Sequence, residues 1–450
     1  DLPNADVVSW NALIAGYTLN EQIPCALQVF QSMLIKGMEP NKITLSCMLK
    51  ACASIGCLYE GKMIHDQVIK DGLELDEYIQ SSLIDMYCKC GCLEEAHKVF
   101  DNWHGCQNIV AWGAMMAGYA QHNFSYTVLE LFTKMKLLSV KPNSYVFSCV
   151  LKACSDIGDL EKGVNIHEQI HLSGIRVCAF LGSSLIDMYS KCGDLEGALR
   201  AFEDLASKDV VSWGAMITGY VIHGHDFAAL QLFEKMDENG GFEPNHVIFL
   251  SAIKACSNIG AMDRGKTIHS DIIRCGLLES EDAGIGSSLV DMYAKCENVE
   301  DAYKVFTQLS IQNEAAWVAI LTAYASHIGE DNRRVHQLLR EMQARGVKPN
   351  GQILMAILNA CSHVGRVEEG CIYFTSMIDE YGIIPSIEHY TCMIDLYSRA
   401  GQIDNAMAMT NKMPFSPDLA VWHIILGACQ KWGNLEVGTL AFEYAVQLRE

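Results

Sequence analysis

VVSWNALIAGY, at Val7–Tyr17, returns as IVAWGAMMAGY at Ile109–Tyr119, VVSWGAMITGY at Val210–Tyr220 and EAAWVAILTAY at Glu314–Tyr324. Trp10, Trp112, Trp213 and Trp317 therefore recur at a period of just over a hundred residues, and Trp422 follows one period later. Between them SSLIDMYCKCG, from Ser81, returns as SSLIDMYSKCG and SSLVDMYAKCE. A fixed period of this kind is the signature of stacked repeats rather than of a single globular core. Function is then expected on a long repeating surface, with one variable point per unit.

The larger blocks divide into three pieces. The first ends in GMEPN, SVKPN, GFEPN or GVKPN; the second carries LKACASIG and GKMIH or their echoes; the third, shorter, holds the SSLIDMY phrase. This cutting gives twelve units, 7–41, 42–76, 77–108, 109–143, 144–178, 179–209, 210–245, 246–282, 283–313, 314–350, 351–386 and 387–418. Residues 1–6 read as the tail of a preceding unit, and a related piece at 419–450 closes the chain. Within the third piece Leu83, Met86 and Tyr87 form one apolar stripe, and Leu93, Ala96, Val99 and Phe100 another, both at helical spacing. The intervening Gly91 supplies a helix stop, and each Pro-Asn ending breaks the chain before the next helix. The expected fold is all-α: about thirteen helix-turn-helix repeats wound into a right-handed α-solenoid.

Composition narrows the functional classes. With 33 basic and 54 acidic residues the chain carries a net charge of −21. That argues against a general nucleic-acid binder, which is normally basic. Half the residues are apolar, yet no run approaches the roughly 20 residues that span a bilayer, so a soluble protein without a membrane partner is expected. The 19 cysteines follow the repeat. Cys52, Cys154, Cys256 and Cys361 share one position, and Cys90, Cys192 and Cys296 another, which points to buried reduced thiols rather than disulfides. The chain begins at Asp1, and both ends are treated as possible cuts, so missing targeting segments say nothing of location.

These units, ending in Pro-Asn and alternating in three lengths, resemble the pentatricopeptide repeat family of plant organelles, in its P-L-S subclass. SPDLAVWHIILGAC, from Ser416, is similar to the junction with that subclass's E extension. The resemblance covers nearly the whole chain. It implies recognition of single-stranded RNA in a plastid or mitochondrion, one base per repeat, usually to specify C-to-U editing.

In that family the fifth and last residues of a unit select the base, and elementary chemistry makes the last one informative. U and G present a ring N–H on the pairing edge; C and A present a bare ring nitrogen. Asp can only accept and favours U or G, whereas Asn can donate and favours C or A. The fifth residue sets size. The resemblance then carries C onto Asn11 with Asn41. It carries A onto Ser81 with Asn108 and Ser287 with Asn313, and G onto Ser183 with Asp209 and Thr391 with Asp418. Gly113 with Asn143, Gly214 with Asn245 and Val318 with Asn350 keep the A-or-C preference without a size filter. The second pieces (Ser46/Asp76, Ser148/Cys178, Leu250/Asp282, Met355/Ser386) pair poorly and are expected to be spacers. The expected target runs 5′-C-x-A-[A/C]-x-G-[A/C]-x-A-[A/C]-x-G-3′, with an edited C a few nucleotides beyond the last G.

Second residues Val8, Tyr78, Val110, Phe180 and Val211 are candidate walls against which bases stack, contacts worth about 1–3 kcal/mol when aromatic; the competing reading is core packing between units. Residue thirteen of each short unit is basic: Lys89, Lys191, Lys295 and Arg399. A phosphate contact is expected there, against the alternative of a charge that offsets the helix macrodipole.

Other chemistries find no support. Cys88–Cys92 reads CKCGC, but Cys90 is a repeat position and C-x-x-C, the usual zinc spacing, is absent; no metal or other cofactor is expected. His65, His167 and His269 recur at one position and read as packing or hydrogen-bonding residues. A zinc deaminase needs H-x-E and P-C-x-x-C, and neither occurs. The chain is therefore not expected to be an enzyme, and editing would need a deaminase recruited through 419–450. GKMIH and GKTIH lack the strand and first glycine of a phosphate loop, and no G-x-S-x-G element occurs. Two alternatives compete with editing: RNA stabilisation or processing, and a tetratricopeptide-like protein-binding scaffold, against which the Pro-Asn endings and three unit lengths weigh.

Overall fold

The computed structural model describes residues 6–20, 22–73, 76–102, 108–238, 242–278, 283–326 and 333–448. Among them it contains 26 α-helices and no strand. The helices alternate along the chain as first and second helices of a unit, and first helices begin at Val7, Lys42, Glu77, Ile109, Ser144, Ala179, Val210, His246, Ala283, Glu314, Gly351, Ile387 and Leu419. Expectations that fall on residues 1–5 and on Asp282 lie outside the described residues.

The three unit lengths have a helical origin. First helices of the second kind, such as Lys42–Ile55, run 14 residues against 13 for Val7–Leu19 and Glu77–Lys89. In the short kind the second helix contracts to 9 residues in Leu93–Asp101 and Leu195–Glu203, against 13 in Leu58–Lys70. At the expected stop, Gly91 takes the left-handed conformation with φ 76°, and the N–H of Cys92 reaches back to Tyr87 O at 2.9 Å. Gly is the residue that adopts this conformation without a steric penalty.

First and second helices differ in how much they bury. Lys42–Ile55 buries Thr44, Leu45, Ser46, Met48, Leu49, Ala51, Cys52 and Ala53, which cover most of its circumference. Leu58–Lys70 buries only Gly61, Ile64 and Val68, a single stripe at i, i+3/i+4 spacing. A helix that is apolar nearly all round has to be enclosed on several sides. The first helices accordingly pack in series, with second helices flanking them.

The chain forms two compact bodies, residues 1–223 and 224–450. In the first body, helix Val7–Leu19 packs on Lys42–Ile55, and the series continues through Glu77–Lys89, Ile109–Gln121, Ser144–Ile157 and Ala179–Lys191 to Val210–Ile222. In the second, His246–Ile259 begins an equivalent series through Ala283–Lys295, Glu314–Ser326, Gly351–Val364 and Ile387–Arg399 to Leu419–Trp432. Each is an α-solenoid segment.

The recurring phrases are contacts between units. Trp112 sets its ring against Phe100 of the preceding unit at 4.7 Å and 81°. Trp213 meets Phe202 at 4.9 Å, and Trp317 meets Phe306 at 4.6 Å. Edge-to-face pairs of this kind contribute about 0.5–1.5 kcal/mol beyond their burial. Glycines mark close approaches: Gly61, Gly163 and Gly265 lie directly under the buried side chains of Met86, Met188 and Met292. The Gly-Lys pairs are thus helix-packing positions. The repeating cysteines form another inter-unit contact, in which Cys90, Cys192 and Cys296 direct their Sγ at the carbonyls of Cys52, Cys154 and Cys256, at 4.0, 3.8 and 3.9 Å. Burial pushes the thiols of Cys52, Cys154, Cys256 and Cys361 up to about 12, so they stay protonated and unreactive.

One motif position admits no side chain where a preceding unit packs on it. A Cβ on Gly118 would stand 2.5 Å from Cys88 Cβ, and one on the equivalent Gly219 would stand 2.9 Å from Ser190 Cβ. Gly118→Ala and Gly219→Ala are each expected to destabilise by about 1–3 kcal/mol through overpacking. Urea midpoints of the two variants check this.

Candidate nucleic-acid interface

Among the described residues, each last residue stands at the N-cap of the following first helix. Asn41 Oδ1 accepts from the N–H groups of Ile43 and Thr44, both at 3.0 Å. Asn108 accepts from Val110 at 2.8 Å, Asn143 from Val146 at 2.9 Å and Asp209 from Ser212 at 2.8 Å. Asn245, Asn313, Asn350 and Asp418 do the same for Ile248, Ala316, Ile353 and Val421, at 2.9–3.1 Å. Caps satisfy backbone donors that would otherwise lack a partner. They also fix the side chain's orientation. With Oδ1 turned to the backbone, an asparagine holds out Nδ2, a donor, and an aspartate holds out Oδ2, an acceptor. The sequence reading took Pro-Asn as a chain break and missed the cap, although Asn or Asp before an apolar helix is its usual signal.

Fifth and last residues meet in the first unit. Asn11 Nδ2 donates to Asn41 Oδ1 at 3.1 Å, and Thr44 Oγ1 donates to Asn11 Oδ1 at 2.5 Å. In the third kind of unit the fifth hydroxyl is turned to its own helix. Ser81 donates to Glu77 O at 2.5 Å, Ser183 to Phe180 O at 2.9 Å, Ser287 to Gly284 O at 3.0 Å and Thr391 to Ile387 O at 2.8 Å. A hydroxyl that gives its hydrogen to a helix carbonyl can act toward a ligand as an acceptor and a small surface. Asn11, Ser81 and Ser287 are buried, while Ser183, Val318 and Thr391 are half-buried. Ser287, Val318 and Asn350 line one open cleft of about 680 Å³ in the second body. Gly113 is buried, and the ring of Tyr145 leans over it, 3.0 Å from where a Cβ would stand. Gly214 is buried in the first body, and Asn245 lies in the second.

In two units of the second kind the fifth residue is engaged by the neighbouring unit. Ser46 Oγ lies 2.9 Å from Ser82 Oγ, and Ser148 Oγ lies 2.7 Å from Ser184 Oγ. Each unit thereby has its fifth hydroxyl tied to the sixth residue of the next.

The second residues stand clear of the core. Val8 is 70% exposed, Val110 59%, Val211 58%, Tyr78 55% and Phe180 50%. Sequence reasoning missed three more, because it looked only at the first and third kinds of unit. Ile43, Tyr145 and Val247 are about equally exposed. An apolar side chain thus projects at this position in eight successive units. Tyr78 additionally carries Lys50 over its ring, with Lys50 Nζ 5.2 Å from the centroid and 3.0 Å from Tyr78 Oη.

The thirteenth-residue cations are half-exposed, and each is paired with the aspartate one turn earlier. Lys89 lies 2.9 Å from Asp85, Lys191 2.9 Å from Asp187, Lys295 2.7 Å from Asp291 and Arg399 2.7 Å from Asp395. The sequence reading weighed a phosphate against the helix dipole and overlooked these aspartates. Exposed i, i+4 pairs are weak, at about 0.3–0.5 kcal/mol, so an arriving phosphate competes with a modest partner. The recurring histidines have partners too: His65, His167 and His269 place Nδ1 2.8, 2.9 and 3.0 Å from the hydroxyls of Tyr87, Tyr189 and Tyr293. Burial lowers the pKa of His167 and His269.

A series of helical units with capped, polar, regularly spaced side chains beside exposed apolar ones defines a helical-repeat protein. Comparison with known proteins is specific: the chain belongs to the pentatricopeptide repeat family. The profile described as PPR repeat family matches residues 5–54. That described as PPR repeat matches 81–106, 110–140, 183–210, 211–241, 287–310 and 388–416. An Arabidopsis thaliana pentatricopeptide repeat-containing protein is 36% identical over 95% of this chain and 75% of its own length. Two others from that plant, named chloroplastic and mitochondrial, are 35% and 33% identical, over 98% and 100% of this chain. Of their own lengths the chain spans 51% and 64%. The crystal structure of the pentatricopeptide repeat protein PPR10 in complex with an 18-nt psaJ RNA element matches with a TM-score of 0.71 at 14% identity, covering 99% of this chain and 69% of that one. It shares the fold.

Because Asp and Asn cap equally well, the outward atom can be exchanged without loss of the helix start. Asp209→Asn is expected to move the unfolding midpoint by no more than a few tenths of a kcal/mol, and Asp209→Ala to cost about 1 kcal/mol. Denaturant titration of both variants distinguishes the cap from a residue held only for its charge.

Proposed function

We propose that this chain binds single-stranded RNA by sequence, one nucleotide per unit, with last residues reading the pairing edge and fifth residues setting size. The observation that carries this is the cap geometry. It aims Nδ2 or Oδ2 of every first- and third-kind last residue away from the backbone, and in the first unit Asn41 is in contact with Asn11. The exposed second residues support the reading, because unburied apolar side chains repeated at one position suit stacked bases. PPR10 was crystallised with an RNA element, and the family relationship brings that class of ligand to this chain.

The net charge of −21 opposes binding to nucleic acid in general. It leaves room for a chain whose affinity rests on base contacts plus a few cations. Lys89, Lys191, Lys295 and Arg399 are proposed for phosphates. The units ending in Asp76, Cys178, Asp282 and Ser386 are proposed as spacers on sequence grounds.

The particular task we infer is specification of C-to-U editing sites in a plastid or mitochondrion, with a deaminase supplied in trans. Relatives named for each organelle support the location. The resemblance of 419–450 to the E extension is what assigns recruitment to the closing hairpin, whose second helix is Leu435–Gln447. Leu435 and Phe442 line a cleft of about 540 Å³ together with Leu426, Cys429 and Gly438.

Three experiments bear on these readings. Binding to the expected target is measured by gel shift against an oligonucleotide with both G's changed to A. At least a tenfold preference for the target is expected, and equal affinity defeats the base assignment. Replacing the four cations with Gln is expected to weaken binding and flatten its salt dependence. Separately, Leu435→Asp with Phe442→Asp is expected to leave RNA affinity unchanged while abolishing editing in an organelle extract; unchanged editing removes the closing hairpin from that role.

A further inference from the structure

The first residue of a unit touches the last residue of the same unit wherever it carries a charge among the described residues. Asn108 Nδ2 lies 3.5 Å from Glu77 Oε2, and Asn350 Nδ2 donates to Glu314 Oε1. Lys42 Nζ lies 3.6 Å from Asp76 Oδ2. In each case the cap decides which atom faces residue one. Asp76 Oδ1 is held by Tyr78 N at 3.0 Å and Ile79 N at 3.2 Å, so Oδ2 is the atom left for Lys42. Asn108 and Asn350 likewise spend Oδ1 on Val110 and Ile353. The contact follows from the hairpin: residue one lies a helical turn before residue five, and closure of the hairpin brings the last residue against residue one.

Glu314 also lines the same cleft of about 680 Å³ as Val318 and Asn350, the fifth and last residues of its unit. Whatever enters that cleft meets a carboxylate next to an amide donor. The pairing edges of A and C carry that pattern in reverse, an amino group beside a bare ring nitrogen. U and G carry the opposite pattern, a carbonyl beside a ring N–H. An Asn that donates to the ring nitrogen leaves its neighbouring Glu placed to accept from the exocyclic amino group. A carbonyl there would face a carboxylate and be repelled. Lys42 with Asp76 presents the complementary pattern, a donor for the carbonyl and an acceptor for the ring N–H.

We propose that residue one is a third reading residue. Glu77 and Glu314 reinforce selection of A or C by their units, and Lys42 makes unit 42–76, a spacer by its sequence, select U or G. This rests on the RNA reading above, and it changes the target at its second position from unread to U or G. It also explains why Asp76, although its fifth partner Ser46 is bonded to Ser82, is not idle. Units whose first residue is Val7, Ile109, Ala179 or Val210 have no such element.

The test uses the full chain and the twelve-nucleotide target, with all four bases tried at positions two, six and ten. The unaltered chain is expected to prefer A or C at ten, U or G at two and G at six. Glu314→Gln is expected to shrink the preference at ten about tenfold, and Lys42→Glu to abolish that at two. Both should leave position six, read by Ser183 and Asp209, unchanged. Residues 42 and 314 are exposed, and unchanged unfolding midpoints confirm that the variants fold. If preference at two and ten is untouched while six still discriminates, residue one does not read bases and the RNA function stands. Glu314→Gln raising affinity equally for all four bases also overturns the proposal, because the carboxylate then only repels the strand. An unaltered chain without base-dependent binding overturns both readings.

Discussion

Every first helix needs an acceptor for the backbone N–H groups of its opening turn, and in this chain the residue before the helix usually supplies it. Asp6 does so for Val7–Leu19, Asn41 for Lys42–Ile55, and Asp209 for Val210–Ile222. The consequences reach beyond helix stability, because a planar side chain with one end pinned to the backbone can present only its other end. Whether that end donates or accepts depends on a single choice, Asn or Asp, which leaves the cap almost unaffected. Recognition chemistry is thus varied at a position whose structural duty is constant. The repeat keeps its shape while its outward face changes.

Charge follows the same logic. A balance of −21 suggests a surface hostile to polyanions, but many carboxylates are already committed. Asp6, Asp76, Asp209 and Asp418 face helix N-termini, where the macrodipole favours negative charge. Asp85, Asp187, Asp291 and Asp395 face cations one turn away. Placement, rather than the total, sets what an approaching strand meets.

Packing supplies the rigidity this arrangement needs. Trp112 on Phe100, Trp213 on Phe202 and Trp317 on Phe306 lock short units to the units that follow them. Glycines at 61, 163 and 265 let a buried methionine approach the helix backbone. The cysteines that invite a metal or disulfide reading are small core residues with weak S–H contacts to a neighbouring carbonyl. These are nearest-neighbour interactions, so each unit's geometry is reproduced by the next.

How much of this was legible in advance follows from the range of each interaction. The period, the two helices per unit and the membership of an all-α repeat class lie in local sequence, because apolar spacing and turn residues act over a few positions. The same holds for the polar character of Asn11, Ser81, Ser183 and Asp209. Three things required the tertiary structure. The first is the cap geometry that exposes one end of each last side chain. The second is the turning of the serine hydroxyls toward their own helices, or of Ser46 and Ser148 toward a neighbour. The third is the meeting of Glu77 with Asn108 and of Lys42 with Asp76, some thirty residues apart in the chain. Sequence names the donors and acceptors. Only the hairpin's closure, which returns a unit's end to its beginning, decides which of them face each other and which face outward.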